Sequence, residues 1–200
     1  MAKGYTSRQA VENYLLITVD PTFHAQVETW IEQIEAYIDR QTGRNFIADT
    51  TASRRFFTGN NTRKLIIDDA VEVTEVKIGT DPALTERDDD DLDADYDYIV
   101  NPTNETPKTS ITLMGLIFPS YPEQTVSVKA KWGFSAAVPA DISNVATVLL
   151  AGIVNYSLQS EGEVQSKAMG IFNVTYKDEK QWKDFDRIEG VLASYKKYTF

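Results

Sequence analysis

The sequence predicts an α+β fold: about four helices forming a bundle, interrupted between the second and third by an antiparallel β insertion. Three observations carry this. Apolar residues recur at helical spacing in the first forty-odd residues and again after residue 139, the period falls to two between residues 53 and 132, and turn-forming residues separate the short runs of that middle stretch. Two hundred residues with 42% hydrophobic, 25% charged and 11% aromatic side chains can bury an ordinary core, so one cooperative domain, or a domain with an insertion, is expected.

The chain opens on Thr6-Ser7-Arg8-Gln9, a capping-box pattern, followed by Ala10, Val11, Tyr14 and Leu15 at helical spacing, which predicts a first helix over residues 7–17. Asp20-Pro21 supplies a cap and a first-turn proline for a second helix over 21–42, in which Phe23, Val27, Trp30, Ile31, Ile34, Tyr37 and Ile38 keep a 3.6 period up to Gly43. Its acids Glu28, Glu32, Glu35 and Asp39 are spaced four, three and four apart and form one stripe rotated away from the apolar face. Such a stripe is either a solvated helix face or the lining of something that must repel an anion.

From Ser53 the strands follow. Residues 54–57 and 64–67 flank a Gly59-Asn60-Asn61 turn, then come Val71, Val73, Val76 and Ile78, and further strands are expected at 96–100, 111–113 and 125–132. The last places Val126, Val128, Ala130 and Trp132 on one face. Pro139-Ala140-Asp141 starts a third helix over 140–158, and from Ile142 through Ser160 no residue is charged. A helix without charge is surrounded by protein on most sides, which marks it as the central helix of a bundle or an assembly. A short strand at 171–176 and a last helix over 179–197, with Trp182, Phe185, Ile188, Leu192 and Tyr195 on one stripe, complete the chain. The ending Tyr195-Lys196-Lys197-Tyr198-Thr199-Phe200 reads as an ill-packed tail or a docking peptide. The chain thus divides into an N-terminal helical hairpin at 1–50, a β insertion at 51–135 with an acidic loop at 80–95, and C-terminal helices with a docking tail at 136–200.

The net charge is -10, and residues 81–105 carry nearly all of it, with eight Asp and two Glu against Arg87. No cluster of Lys and Arg stands ready to displace counterions from a nucleic acid, so tight DNA or RNA binding is not expected. The run Asp88-Asp89-Asp90-Asp91 repels itself and lacks apolar residues, which predicts a mobile surface loop. Cysteine is absent, removing disulfides, thiolate metal sites and thiol nucleophiles together and suiting a reducing cytosol. The apolar run at 148–154 falls short of the roughly 20 residues of a membrane span, and the first residues lack the apolar segment of a signal peptide. A soluble, untargeted protein is expected.

Catalytic signatures are missing. The sequence contains no G-x-S-x-G, no P-loop, no H-E-x-x-H and no G-x-G-x-x-G, and the sole histidine, His24, sits in the first turn of the second helix, where solvent exposure is expected. Asp91, Asp93 and Asp95 imitate the start of an EF-hand loop, but Tyr96 stands where glycine is needed and Pro102 where the bidentate glutamate belongs. A looser calcium-dependent binding module using residues 88–97 is one alternative function. A carboxylate-based hydrolase is another, although among thirty acids no pair is singled out by spacing.

The order of several motifs resembles a family. Val11-Glu12-Asn13-Tyr14-Leu15-Leu16-Ile17 is followed by Ile34-Glu35-Ala36-Tyr37-Ile38 running into Thr42-Gly43-Arg44, then by Lys131-Trp132-Gly133-Phe134 and Val138-Pro139-Ala140-Asp141-Ile142. Met169-Gly170-Ile171-Phe172-Asn173-Val174-Thr175-Tyr176 and a closing amphipathic helix complete the series. In this order the chain resembles the head-tail connector proteins, also called adaptor or head-completion proteins, of long-tailed bacteriophages. The strand-rich stretch from 53 to 132 departs from their compact, mostly helical members.

The resemblance implies a non-enzymatic structural protein of the virion neck, met in the host cytoplasm only during assembly, with no cofactor, no metal and no catalytic residue. It implies a homo-oligomeric ring, usually twelve-fold, placed under the portal protein after DNA packaging and presenting a surface to a stopper or tail-completion protein. DNA would pass through without specific binding, and acidic walls would serve that passage by repulsion. On this reading Glu28, Glu32, Glu35 and Asp39, or failing them residues 88–91, face the DNA path. Trp182, Phe185, Tyr195, Tyr198 and Phe200 supply the contact with the portal or a neighbouring subunit, because buried aromatic anchors dominate interface energies.

Overall fold

The computed structural model describes residues 3–79, 83–86, 97–158, 166–169, 172–175 and 179–197, with side chains up to residue 157 and from 187 onward. The element order is α1 (Arg8–Leu15), a 3-10 turn (Pro21–Phe23), α2 (His24–Thr42), β1 (Ser53–Phe57), β2 (Lys64–Ile78), β3 (Tyr98–Asn101), β4 (Lys108–Leu113), β5 (Val126–Trp132), α3 (Ala140–Leu158), β6 (Ser166–Met169), β7 (Phe172–Thr175) and α4 (Glu179–Ser194). The fold is α+β, with a five-stranded antiparallel sheet inserted between the second and third helices. The chain divides into two compact units, residues 1–44 with 138–200, and residues 45–137.

In the helical unit α3 packs against α1, α2 and α4, and α2 also touches α4. Helix α1 starts one residue later than the capping box implies. Ser7 is its N-cap, accepting from the Ala10 N–H at 3.2 Å, so the position that needs Glu or Gln is occupied by Ala10. Gln9 turns along the helix to Asn13 instead, and the Thr6 hydroxyl bonds the Thr147 hydroxyl of α3 at 2.8 Å. Asp20 caps the 3-10 turn, its Oδ1 accepting from the Thr22 N–H at 2.8 Å and the Thr22 hydroxyl at 2.7 Å. These bonds hold its carboxyl below the usual aspartate range. Gly43 ends α2, donating its N–H to the Asp39 carbonyl at 2.7 Å. Uncharged from Ile142 on, α3 is buried at Ile142, Val145, Ala146, Leu149, Leu150, Ala151 and Val154, an arc wider than one stripe, as expected of a helix with three helical neighbours.

The sheet of the second unit has the order β1-β5-β2-β4-β3. The runs at 64–67 and 71–78 are not two strands but one, β2, whose first half pairs with β4 and whose second half pairs with β5, with register shifts near Ala70, Glu72 and Glu75. Those irregularities bend the strand so that both halves face one core. The core holds Leu65, Ile67, Val73, Val76, Tyr98, Val100, Ile111, Leu113, Phe118, Val126, Val128, Ala130 and Trp132, including the whole predicted face of β5. At the far edge the segment 83–86 closes part of the gap between β3 and β2: Leu84 donates its N–H to the Val76 carbonyl at 2.9 Å, and the Thr85 carbonyl accepts from Asp97 and Tyr98.

The Gly59-Asn60-Asn61 turn does not join a hairpin. Strand β1 pairs with β5, from Ser53↔Ala130 to Phe57↔Val126, and β5 lies between it and β2. What the turn packs against is the β4–β5 connection: the Asn61 N–H bonds the Phe118 carbonyl at 2.9 Å, and its side chain exchanges bonds with Ser120. The predicted strand at 171–176 appears as β7, and it pairs with β6, which the sequence reading leaves unassigned, from Ser166↔Thr175 to Met169↔Phe172.

Candidate functional surfaces

The four acids of α2 part into two pairs. Glu28 and Glu32 are exposed. Glu35 is only 2% exposed, its Oε1 accepting from the Gly4 and Tyr5 N–H groups at 2.8 and 2.9 Å and its Oε2 from the Lys3 N–H at 2.6 Å. Asp39 binds the Lys3 ammonium and the Tyr5 hydroxyl, the latter at 2.6 Å. The expectation that all four stand clear of the apolar face therefore fails at Glu35. At about 100° per residue it is the acid nearest in azimuth to the buried row Val27, Ile31, Ile34 and Ile38. Three consecutive N–H groups converge on one carboxylate because Gly4 adopts φ +85, a conformation that costs glycine little. Half of the stripe thus anchors the N-terminal segment, a long-range contact with no signal in the periodicity of α2.

His24 does not point to solvent. It is half-buried, with Nε2 3.1 Å from the Val19 carbonyl and the Arg8 guanidinium against its ring.

Of the five aromatic residues assigned to an assembly contact, the side chains of Trp182 and Phe185, and Tyr198 and Phe200 altogether, lie outside the described residues. Tyr195 is half-buried and held within its own unit. Its hydroxyl donates to the Asp141 carboxylate at 2.9 and 3.1 Å, and its carbonyl accepts from the Arg44 Nε at 2.6 Å. Partial burial and the Asp141 carboxylate raise its pKa. Two residues on, the Lys197 N–H bonds the Thr42 carbonyl at 2.7 Å, so a truncation after Leu192 removes internal bonds as well as the tail. Beside Asp141 a groove of about 470 Å³ opens between α1, α3 and α4, lined by Tyr14, Asp141, Asn144, Val148, Arg187 and Val191 among others.

The sheet of the second unit has a polar outer face. Register places Arg54, Lys129 and Glu75 in one row, Phe56, Ser127 and Lys77 in the next, and Lys131 beside Glu72. Arg54 and Lys77 both reach Glu75, and Lys131 meets Glu72 at 2.6 Å. Arg54 holds the Glu75 carboxyl below the usual glutamate range, with Lys77 adding to the effect. Phe56 stays 60% exposed among these charges, and further along β2 Ile66 is 57% exposed. The β4–β5 connection exposes Met114, Leu116, Ile117 and Tyr121, while Leu16, at the end of α1, is 90% exposed. Exposed apolar side chains set among paired charges offer contact surface.

Among the described residues no group of His, Asp and Glu is placed to hold a metal ion, and no helix is long and apolar enough to cross a membrane. Most of the Asp-rich stretch proposed for calcium lies outside the described residues. Within them Asp97 is engaged locally, its Oδ2 accepting from the Thr85 N–H at 2.7 Å.

No family model and no curated protein matches the chain. Solved structures do. One similar chain comes from the neck of a native gene transfer agent particle, a phage-like particle, computed with C12 symmetry; it has a TM-score of 0.53 and 15% identity, over 100% of this chain and 94% of that one. Another comes from the neck of an empty particle of that kind computed with C6 symmetry, with a TM-score of 0.51 and 16% identity over 88% of this chain and 80% of that one. At these identities the likeness is one of fold, and it spans both units.

Proposed function

We propose that the protein is a structural component of the neck of a phage-like particle, an adaptor ring that joins the portal of a DNA-filled capsid to the stopper or tail and continues the path of the DNA. The observation that carries this reading is the match over 100% of the chain to a protein of a particle neck computed with C12 symmetry. Symmetric rings fit the surfaces described. A head-to-tail contact between copies needs two different patches on each subunit, and the exposed apolar residues of the β unit and of the end of α1 are separate candidates. The last helix and tail, through Trp182, Phe185, Tyr198 and Phe200, supply the portal contact, with Tyr195 setting the course of the chain into it. Glu28 and Glu32 face the DNA path, while Glu35 and Asp39 hold the N-terminal segment beside them. The protein works by shape and contact, not by catalysis.

The deciding experiment mixes the full chain with purified portal rings and images the product by electron microscopy. An added twelve-fold ring on the portal is expected. Portals that remain bare at saturating protein would refute the adaptor reading. Replacing only Glu28 and Glu32 by Lys, which leaves the Glu35 anchor intact, should give the ring a salt-dependent affinity for duplex DNA. A reversed ring that binds DNA no better than the parent would remove these two residues from the channel.

A further inference from the structure

The outer face of the β1-β5-β2 sheet carries four cations, Arg54, Lys77, Lys129 and Lys131, against two carboxylates, Glu72 and Glu75. That is a local surplus of positive charge in a chain whose net charge is -10. Arg54, Lys77 and Lys131 are engaged with Glu75 and Glu72, whereas Lys129, exposed between Arg54 and Glu75, makes no side-chain bond to an acid among the described residues. Beside it Phe56 keeps an aromatic ring in solvent. A monomer gains nothing from an exposed phenylalanine set in a cationic row, whereas an interface uses both, the ring for buried area and the charges for orientation.

We propose that this face docks a second copy of the chain, and that its occupant is the partner copy's Asp-rich segment, residues 88–91 with Asp93 and Asp95, which lies outside the described residues. Charge complementarity selects this occupant. Residues 81–105 hold eight Asp and two Glu against one Arg, the strongest single-sign field in the sequence. Every copy therefore carries both halves of the contact. Because the two halves are different patches, the contact is head-to-tail and repeats from copy to copy, as a closed ring requires. The inference concerns association of the chain with itself and does not depend on the neck reading.

The test compares self-association of the full chain by sedimentation at 0.1 M and 1 M salt, between which the Debye length shrinks from about 10 Å to about 3 Å. The parent should associate at the lower salt and weaken at least about tenfold at the higher. A face-reversed variant (Lys77→Glu, Lys129→Glu, Lys131→Glu) and a segment-reversed variant (Asp88→Lys, Asp89→Lys, Asp90→Lys) should each stay monomeric. Mixed together they should associate, because each then offers the charge the other lacks. Circular dichroism checks that both fold, and if the reversals fail to fold, Lys129→Gln with Lys131→Gln, which removes charge without inverting it, should still weaken the parent's association about tenfold. A parent monomeric at 0.1 M salt, a face-reversed protein that associates like the parent, or a mixture of variants that stays apart overturns the proposal. So does duplex DNA bound by the parent through these lysines, since the face then serves a nucleic acid.

Discussion

Glu35 shows how one side chain can carry a segment. Three backbone N–H groups end on its carboxylate, and removing the acceptor leaves all three short of a partner, at a cost of about 2–4 kcal/mol given the partial access of water to two of them. Glu35→Ala should therefore lower the urea midpoint markedly, while Glu28→Ala, at an exposed position of the same helix, should stay within about 0.5 kcal/mol of the parent. Equal effects would show that the N-terminal segment contributes nothing to stability. Two glycines make a second contrast. Gly133 has φ +141, and a Cβ there would lie 2.5 Å from the Ala48 Cα and 2.6 Å from the Ile47 carbonyl oxygen, so Gly133→Ala should cost about 2 kcal/mol or more. Gly190 lies within α4, and a Cβ there meets nothing within 4 Å. Gly190→Ala should stabilise the monomer by about 1 kcal/mol in thermal unfolding.

At the scale of elements, the edge where segment 83–86 meets β3 joins burial to ionisation. Tyr98 is buried beneath that segment, and its phenol pKa is raised strongly, first by burial and then by the carboxylate of Glu86, with which it shares a hydrogen bond. The folded state thus keeps a proton that the unfolded chain releases near pH 10. Its contribution is fully present below about pH 10 and is lost as pH rises further, because the unfolded state then binds fewer protons. Stability should fall above pH 10, and Tyr98→Phe should make that alkaline decline shallower, as read from denaturant midpoints across the pH series. An unchanged slope in the variant would mean that another group carries the dependence.

For the whole molecule, the division at residues 45 and 137 sets an expectation of autonomy. The core of the second unit draws all its residues from the stretch 57–132, and its sheet contains every strand from β1 to β5. A fragment of residues 45–137 should give a β-type circular dichroism spectrum and unfold in one cooperative thermal transition. A fragment that stays unstructured would show that the helical unit is needed to complete its core. A separately cored insertion leaves α3 free to pack against α1, α2 and α4 although a strand-rich stretch separates the second and third helices in the sequence.

Local order was legible in the sequence because it depends on neighbours in the chain. Gly43 ends the second helix as its spacing predicts, whereas Asp20-Pro21 opens not that helix but the 3-10 turn leading into it, since α2 starts at His24; Pro139-Ala140-Asp141 starts the third, and the alternation of Val126, Val128, Ala130 and Trp132 gives the buried face of β5. Each of these rests on a period, a cap or a fixed dihedral, and each operates within a few residues. Pairing does not. Strand β1 pairs with β5 rather than with the nearer β2, and the turn after it is held by Phe118 and Ser120, residues some sixty positions away that no local pattern points to. The same holds for the surfaces: spacing drew one acidic stripe on α2, and the N-terminal segment, folding back over thirty residues, buried one of its members and engaged another. Whether a charged side chain is a surface group or an anchor depends on what the rest of the chain brings to it, and that is a property of tertiary structure alone.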